Sequence, residues 1–210
     1  MTRVLVVDNH DSFVHTLVGY LQELGAETTL IESDAIDVDG LVQLLPEVDA
    51  LMLSPGPGSP ADAGVSLEAV RVAARMHMPL LGVCLGHQVI GAAFGSPVTE
   101  APELMHGMVS PMHHDGSLLF AGLPSPLDVG RYHSLAIAAA DLPPELRVTA
   151  RTDSGTVMGI SHTDLPIHGV QFHPESVLTD GGYRLLANWL ESIGDPSAVE
   201  RAEALHPLSR

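Results

Sequence analysis

The stretch Pro79-Leu80-Leu81-Gly82-Val83-Cys84-Leu85-Gly86-His87-Gln88 decides the fold. A short apolar run bounded by proline reads as a buried strand, the Gly-x-Cys-x-Gly segment as a sharp turn, and a helical pattern follows at once. Strand, tight turn and helix in immediate succession form the unit of an α/β sheet. A cysteine at such a turn is lifted clear of the sheet as a nucleophile, with flanking glycines leaving it room. The adjacent helix N-terminus supplies free N–H groups and a positive dipole end, which lower a thiol's pKa and stabilise an oxyanion. Cys84 is the single cysteine of the chain, so it has no disulfide partner within it. An isolated cysteine is ordinarily a small buried hydrophobe. A second segment argues for more.

That segment is Gly169-Val170-Gln171-Phe172-His173-Pro174-Glu175-Ser176. It closes a strand-like apolar run, and in extended backbone His173 and Glu175, two apart, face the same way. A thiol nucleophile needs a base within hydrogen-bond reach, and the base needs a third group to fix its tautomer and steady the imidazolium. His173 and Glu175 suit those roles. A lone His-x-Glu is usually a surface pair, but beside the cysteine elbow it becomes specific.

A third segment, Leu51-Met52-Leu53-Ser54-Pro55-Gly56-Pro57-Gly58-Ser59-Pro60, carries a strand-like run into a loop dense in Pro and Gly. Such a loop is stiff. Its prolines have no N–H, so the donors on offer include Gly56, Gly58 and Ser59. An oxyanion hole needs donors already in place when charge develops, although by composition alone the loop also reads as a tight connection.

Together PGPG, GVCLGHQ and QFHPES resemble the class I (triad) glutamine amidotransferases. Asp8-Asn9-His10-Asp11-Ser12-Phe13, His114-Asp115-Gly116 and Arg131-Tyr132-His133-Ser134-Leu135 narrow the likeness to the small glutaminase subunits of anthranilate synthase and aminodeoxychorismate synthase. The resemblance runs from about Arg3 to about Leu190. It implies Cys84 as nucleophile, His173 as base and then acid, and Glu175 as the orienting carboxylate. It also implies an oxyanion hole from the N–H groups of Gly58 and Leu85, and a glutamine site made by Gly56, Pro57, Gly58, Gln88, Ser134 and Leu135. Gln88 stands one helical turn beyond the nucleophile, so its amide can reach the same pocket.

The implied chemistry is hydrolysis of L-glutamine through a thioester, with ammonia passed to a chorismate-using synthase subunit in a hetero-oligomer. No cofactor is expected in this chain, and Mg²⁺ is expected on the partner. The alternatives are the glutaminase subunit of aminodeoxychorismate synthase or of a specialised-metabolite aminating enzyme and, in a different class, a non-catalytic regulatory subunit. An amidotransferase subunit of the GMP synthase or carbamoyl-phosphate synthetase kind is disfavoured by the Asn9–Phe13 and Arg131–Leu135 words. Two departures stand out. Phe13-Val14-His15-Thr16-Leu17 lacks the family's usual aromatic and asparagine before the leucine, and His106-Gly107-Met108 replaces a common His-Gly-Lys.

At 210 residues a single domain is expected. Alternating strand-like and helix-like stretches predict an open, mostly parallel twisted sheet flanked by helices, with a strand-rich C-terminal half. The resemblance implies the same, a flavodoxin-like class I amidotransferase fold. Strands are predicted near Arg3–Val7, Glu27–Ile31, Ala50–Leu53, Leu80–Val83, Val129–Tyr132, Leu146–Arg151, Val157–Ser161 and Ile167–Phe172. Helices are predicted near Phe13–Leu24, Leu41–Leu45, Val65–Met76, Gln88–Phe94 and Tyr183–Ile193. The amidotransferase domain is placed at residues 1–194. A tail at 195–210 follows, where Ser197-Ala198-Val199-Glu200 has the form of a capping box. In such sheets ligands bind at the carboxyl ends of strands, where all three motifs fall.

Nine arginines and no lysine stand against 26 acids, for a formal charge of −17. That balance argues against nucleic acid, whose phosphates are met by basic patches. No apolar run approaches a membrane span, and the N-terminus lacks the plan of a secretory signal. With one unpaired thiol, a cytoplasmic location is expected. The twelve histidines include His113-His114-Asp115, but no His-Glu-x-x-His spacing occurs, and no metal site is expected. His10, His15 and His87 read as local hydrogen-bonding residues.

Overall fold

The computed structural model describes residues 1–103 and 107–207. Its first half alternates strand and helix: β1 (Arg3–Asp8), α1 (Val14–Glu23), β2 (Glu27–Glu32), α2 (Val38–Leu44), β3 (Ala50–Leu53), α3 (Ser66–Met76), β4 (Leu80–Val83) and α4 (Leu85–Ala93). The second half is strand-rich: β5 (Val98–Glu100), β6 (Met108–His114), β7 (Leu127–Arg131), β8 (Leu135–Ile137), β9 (Leu146–Thr152), β10 (Val157–His162) and β11 (Ile167–Val170). Two helices, α5 (Gly182–Ser192) and α6 (Ser197–Ala202), follow.

Among the described residues nine strands form one sheet in the order β2-β1-β3-β4-β11-β10-β9-β6-β7, while β5 and β8 pair separately. The five strands from β2 to β11 run parallel, and β10, β9, β6 and β7 continue the sheet antiparallel. The sequence predicts an open, mostly parallel sheet with a strand-rich second half, and the sheet is open and parallel through its first five strands, with the strand-rich half adding antiparallel ones. β1, β3, β4 and β11 are almost wholly apolar because helices cover both faces. Alternate side chains divide accordingly: Val4, Val6 and Met52 join Leu17, Leu21 and Trp189 on one side. Leu5, Val7 and Leu51 join Val70 and Ile90 on the other. No helix among the described residues is long and apolar enough to cross a membrane.

Three strands escape the sequence reading. β6 is the instructive one, since Pro111 and two histidines disguise it. Proline cannot donate to a ladder, and Pro111 sits opposite Asp128 of β7 at a level where pairing with β9, which begins at Met112, has not started. The His113-His114 pair ends that strand. β5 and β8, three residues each, are too short to carry a period. The helix predicted at Gln88–Phe94 begins earlier, at Leu85, directly after Cys84.

Two further expectations are corrected. β11 ends at Val170, so His173 and Glu175 stand in a turn, with Ser176 N–H donating to His173 O at 3.2 Å, rather than on extended backbone. The tail helix exists without a capping box: Pro196 is its N-cap, and Ser197, already helical, donates to Asp195. That helix is packed, with Ala198 and Ala202 buried and Arg201 donating to Leu24 O at 2.6 Å. The last three residues of the tail lie outside the described residues.

Candidate active site

β3, β4 and β11 are neighbours in the sheet, and the PGPG loop, Cys84 and His173 each follow the carboxyl end of one of them. The topology thus brings together three segments far apart in sequence. Cys84 is the N-cap of α4 at φ 51° and ψ −101°, a backbone state that side-chain-bearing residues rarely occupy. Close packing enforces it. A Cβ on Gly82 would lie 2.5 Å from the backbone of Gly86, and one on Gly86 would lie 2.4 Å from Leu53 O. Only glycine allows strand and helix to approach so closely. The Cys84 N–H donates to Val170 O at 2.8 Å, tying Cys84 to β11, and Leu85 opens the helix with an N–H that the helix itself leaves free.

His173 Nδ1 pairs with Glu175 Oε1 at 2.7 Å, both side chains nearly fully buried. Burial pulls the His173 pKa down, but the nearby Cys84 and the Glu175 carboxylate that Nδ1 bonds outweigh it and hold the value well above the usual one. With Nδ1 committed to the carboxylate, Nε2 is the nitrogen left for Cys84. Thr179 Oγ1 donates to His173 O at 2.6 Å, and the Tyr132 ring meets the imidazole edge-on at 5.0 Å. A Cβ on Gly182, the first residue of α5, would collide with Pro174 O, so the turn is pressed against that helix.

The PGPG loop is anchored from below. Asn9 N–H donates to Ser54 Oγ and its amide to Ser54 O, both at 2.8 Å, while Ser66 Oγ donates to Asn9 Oδ1 at 2.7 Å. Gly56 presses so closely on Asn9 that a Cβ would lie 2.2 Å from its carbonyl oxygen. Gly58 has φ +81°, and just beyond it the Ser59 N–H and hydroxyl both donate to Asp62 Oδ2, at 3.0 and 2.7 Å.

A cavity of about 150 Å³ is lined by Gly56, Pro57, Gly58, Cys84, Leu85, Gln88, Tyr132, His133, Ser134 and Leu135. It thus gathers Cys84 and the seven residues expected to hold glutamine or its oxyanion. An adjoining cavity of about 420 Å³ runs past Cys84 and His173 to His10, Asp11, Ser12 and Phe13. Asp11 there has its pKa raised, by burial foremost. Thr16 lines a third cavity with Phe13, Tyr132, His173 and Glu175, so that departure falls beside His173. Met108 is exposed at the start of β6, and His106 lies outside the described residues.

The sequence reading gave no role to several residues that shape the site. Gln171 donates to Cys84 Sγ at 3.6 Å and accepts from Gln88 Nε2 at 3.1 Å. A buried polar residue at the end of an apolar run was the available signal. Asn9, Asp62, Arg131 and His133 likewise support the loops. Three other histidines bond locally, His113 to Asp153, His114 to Pro124 O with its ring stacked on Phe120, and His10 to Asp34. His87, expected to do the same, is fully buried, and neither ring nitrogen has a hydrogen-bond partner among the described residues. His10, Glu32 and Asp34 bring three potential ligand atoms together, all exposed to solvent.

Comparison with known proteins matches residues 5–193 to the family model for class-I glutamine amidotransferase. Anthranilate synthase component 2 of Mycobacterium tuberculosis is 52% identical over 204 residues, covering 96% of this chain and 88% of that protein. Aminodeoxychorismate/anthranilate synthase component 2 of Bacillus subtilis is 49% identical over 189 residues, covering 90% and 96%. The crystal structure of a GMP synthase subunit from Thermoplasma acidophilum superposes with a TM-score of 0.82 at 28% identity, covering 96% of this chain and 98% of that one.

Proposed function

This chain belongs to the class I glutamine amidotransferases, and on that premise we propose that Cys84, His173 and Glu175 hydrolyse L-glutamine and that the ammonia passes to a chorismate-using synthase subunit. The observation that carries the reading is the cavity in which Cys84 faces Gly58, Leu85, Gln88 and the Ser134–Leu135 pair. The Cys84 thiolate attacks the side-chain amide carbon, and the N–H groups of Gly58 and Leu85 take the charge that develops on its oxygen. Protonated His173 gives its Nε2 proton to the departing nitrogen, so the C–N bond breaks, ammonia leaves and a thioester remains. His173, now neutral, removes a proton from water, which attacks the thioester and releases glutamate and the thiolate. Glu175 holds the imidazole by Nδ1 throughout.

Ammonia freed into neutral water is protonated and loses its nucleophilicity, so direct transfer within a complex suits this chemistry. The names of the relatives, component 2 of anthranilate synthase and of aminodeoxychorismate/anthranilate synthase, support a hetero-oligomer with such a partner. That partner would carry the Mg²⁺. A cytoplasmic location fits a buried thiol with no disulfide partner. A second reading, aminodeoxychorismate synthesis, is favoured by the Bacillus relative, whose name carries both activities.

The test uses the chain purified with its native partner. Cys84→Ser should abolish synthesis from chorismate and glutamine but leave synthesis from ammonium salts intact, and the wild-type product separates anthranilate from aminodeoxychorismate. His173→Ala should lose about 10²–10⁴-fold in glutamine-dependent rate, and Glu175→Gln less. Full glutamine-dependent turnover by Cys84→Ser overturns the assignment.

A further inference from the structure

We infer that His133, held by Arg131, is a positioning residue that sets the Leu135 carbonyl and the Gln88 amide against the substrate, so that Gln88 Oε1 reads an N–H of glutamine. The inference rests on glutamine being the substrate and assigns a task to two buried residues that the chemical steps do not use.

The direction of every bond in this relay follows from what each group can do. The Arg131 side chain is fully buried and can only donate. Its Nη1 donates to Glu103 Oε2 at 3.1 Å and its Nε to His133 Nε2 at 3.2 Å. His133 Nε2 is therefore the acceptor, and the ring proton sits on Nδ1. Nδ1 lies 2.8 Å from Leu135 O, so that contact is a donation to the carbonyl. Burial, foremost, and the Arg131 charge push the His133 pKa down to about 4, so the ring keeps this neutral tautomer at physiological pH.

Leu135 O has a second lone pair, which accepts from Gln88 Nε2 at 3.0 Å. The other proton of that amide goes to Gln171 Oε1 at 3.1 Å, and Gln171 Nε2 completes the relay at Cys84 Sγ, 3.6 Å away. Both Gln88 amide protons are thus spent inside the protein. No amide flip satisfies Leu135 O and Gln171 Oε1 together, since both are acceptors. The orientation leaves Oε1 as the Gln88 group available to the cavity, and an acceptor there pairs with a donor on the ligand. In glutamine, the side-chain amide N–H or the α-ammonium supplies it. Take away the His133 donor and Leu135 O can turn, which frees the Gln88 amide to rotate.

A glutamine-like chloroketone tests this on the full chain without a partner. Its alkylation of Cys84 forms a carbon–sulfur bond and expels chloride, and the concentration dependence reports pocket affinity apart from thiol reactivity. Iodoacetamide, too small to need the pocket, reports reactivity alone. His133→Leu fills the space but neither accepts nor donates. It should raise the half-saturation concentration of the chloroketone, and KM for glutamine in the complex, by about tenfold, as for one misaligned hydrogen bond. The maximal chloroketone rate and the iodoacetamide rate should stay within about twofold. His133→Asn, whose amide nitrogen takes the place of Nδ1, should recover most of the affinity.

Unchanged half-saturation in His133→Leu overturns the inference. So does a parallel fall in both alkylation rates, or an Asn variant no better than Leu. Should His133→Leu fail to fold, His133→Asn decides alone, since a tenfold loss in a chain that keeps the donor contradicts the relay. If wild-type Cys84 is not labelled by the chloroketone at all, the glutaminase reading falls with it, whereas labelling insensitive to His133 removes this inference only.

Discussion

On one wall of the cavity beside Cys84 the strand-to-helix elbow is held by contact, and on the other the Arg131–Leu135 segment is held by donors and acceptors. At the elbow, β4 and α4 approach so closely that Gly82 and Gly86 have no room for a side chain, and Cys84 is kept at a positive φ. Across the cavity, the buried Arg131 fixes His133, which fixes Leu135 O, with no comparable backbone contact. A wall made by packing breaks when volume is added. A wall made by buried polar groups tolerates small changes of volume and breaks when a donor is lost or a proton gained. The nucleophile needs a fixed position, which packing supplies. Ligand recognition needs correctly signed donors and acceptors, which only polar groups supply.

The largest expected effect is acid. Burial, foremost, lowers the pKa of His87 to about 3, with His133 adding to it, and lowers His133 and His168 to about 4, with Arg131 and Arg147 adding respectively. A histidine whose folded pKa lies below its unfolded value near 6.5 contributes stability above 6.5 and loses it as pH falls towards the folded value. Each of the three should therefore cost about 2 kcal/mol between pH 7 and pH 5. His173 has the opposite sign: its contribution is complete below about 6.5 and is lost as pH rises through its own raised pKa. Urea midpoints from pH 7.5 to 4.5 read the slope. His133→Asn should flatten it by one histidine's share, and an unchanged slope would detach the polar wall from the pH dependence.

Next comes volume. Gly86→Ala drives a Cβ into Leu53 O, a backbone atom of β3 that cannot rotate away, and should lose about 3 kcal/mol of stability. Gly91→Ala, on the same helix, meets Ile137 Cδ1 at 2.6 Å and Cγ1 at 2.9 Å, atoms of a side chain that can turn about its own bonds. The gain in helix propensity of about 0.5–1 kcal/mol offsets that contact, so its net change should stay within about 1 kcal/mol. Chemical denaturation of the two variants separates packing against backbone from packing against a side chain. Equal losses would mean that the elbow is not specially tight.

The two walls also differ in how far the sequence disclosed them. The elbow is legible because its constraint is local: apolar run, glycine, cysteine, glycine and helix stand in order within residues 79–88. The order of events along β1 to β4 is legible for the same reason, since each strand is a continuous apolar run in a doubly covered sheet. His133 is different. Its partners lie on its own segment, on α4 through Leu135 O and on Glu103 through Arg131, and no period or composition in residues 131–135 announces them. β6 was hidden by Pro111, admissible only because pairing with β9 starts one residue later. Gln171 was hidden by standing beside a residue with a louder signal. Contacts made across the fold are fixed by tertiary geometry, and a single sequence carries no local trace of them.

The smallest expected effect concerns the PGPG loop, which combines both modes. Gly56 is packed against Asn9, but beyond Gly58 the loop is held by the exposed Asp62 carboxylate, which takes the Ser59 N–H and hydroxyl. A Cβ at Gly58 would lie 3.1 Å from Asp62 Oδ2, so the carboxylate also borders the residue whose N–H is assigned to the oxyanion. Asp62→Ala leaves the buried anchor untouched and should not change the unfolding midpoint measurably. It loosens one oxyanion donor without removing it. Complete loss of such a donor costs about 10²–10³ in rate, so a fall in kcat of about fivefold is expected. Alkylation of Cys84 by iodoacetamide, which develops no oxyanion, should proceed at the wild-type rate. If kcat and alkylation fall together, Asp62 supports the nucleophile and not the loop, and the division between the two walls fails at the point where they meet.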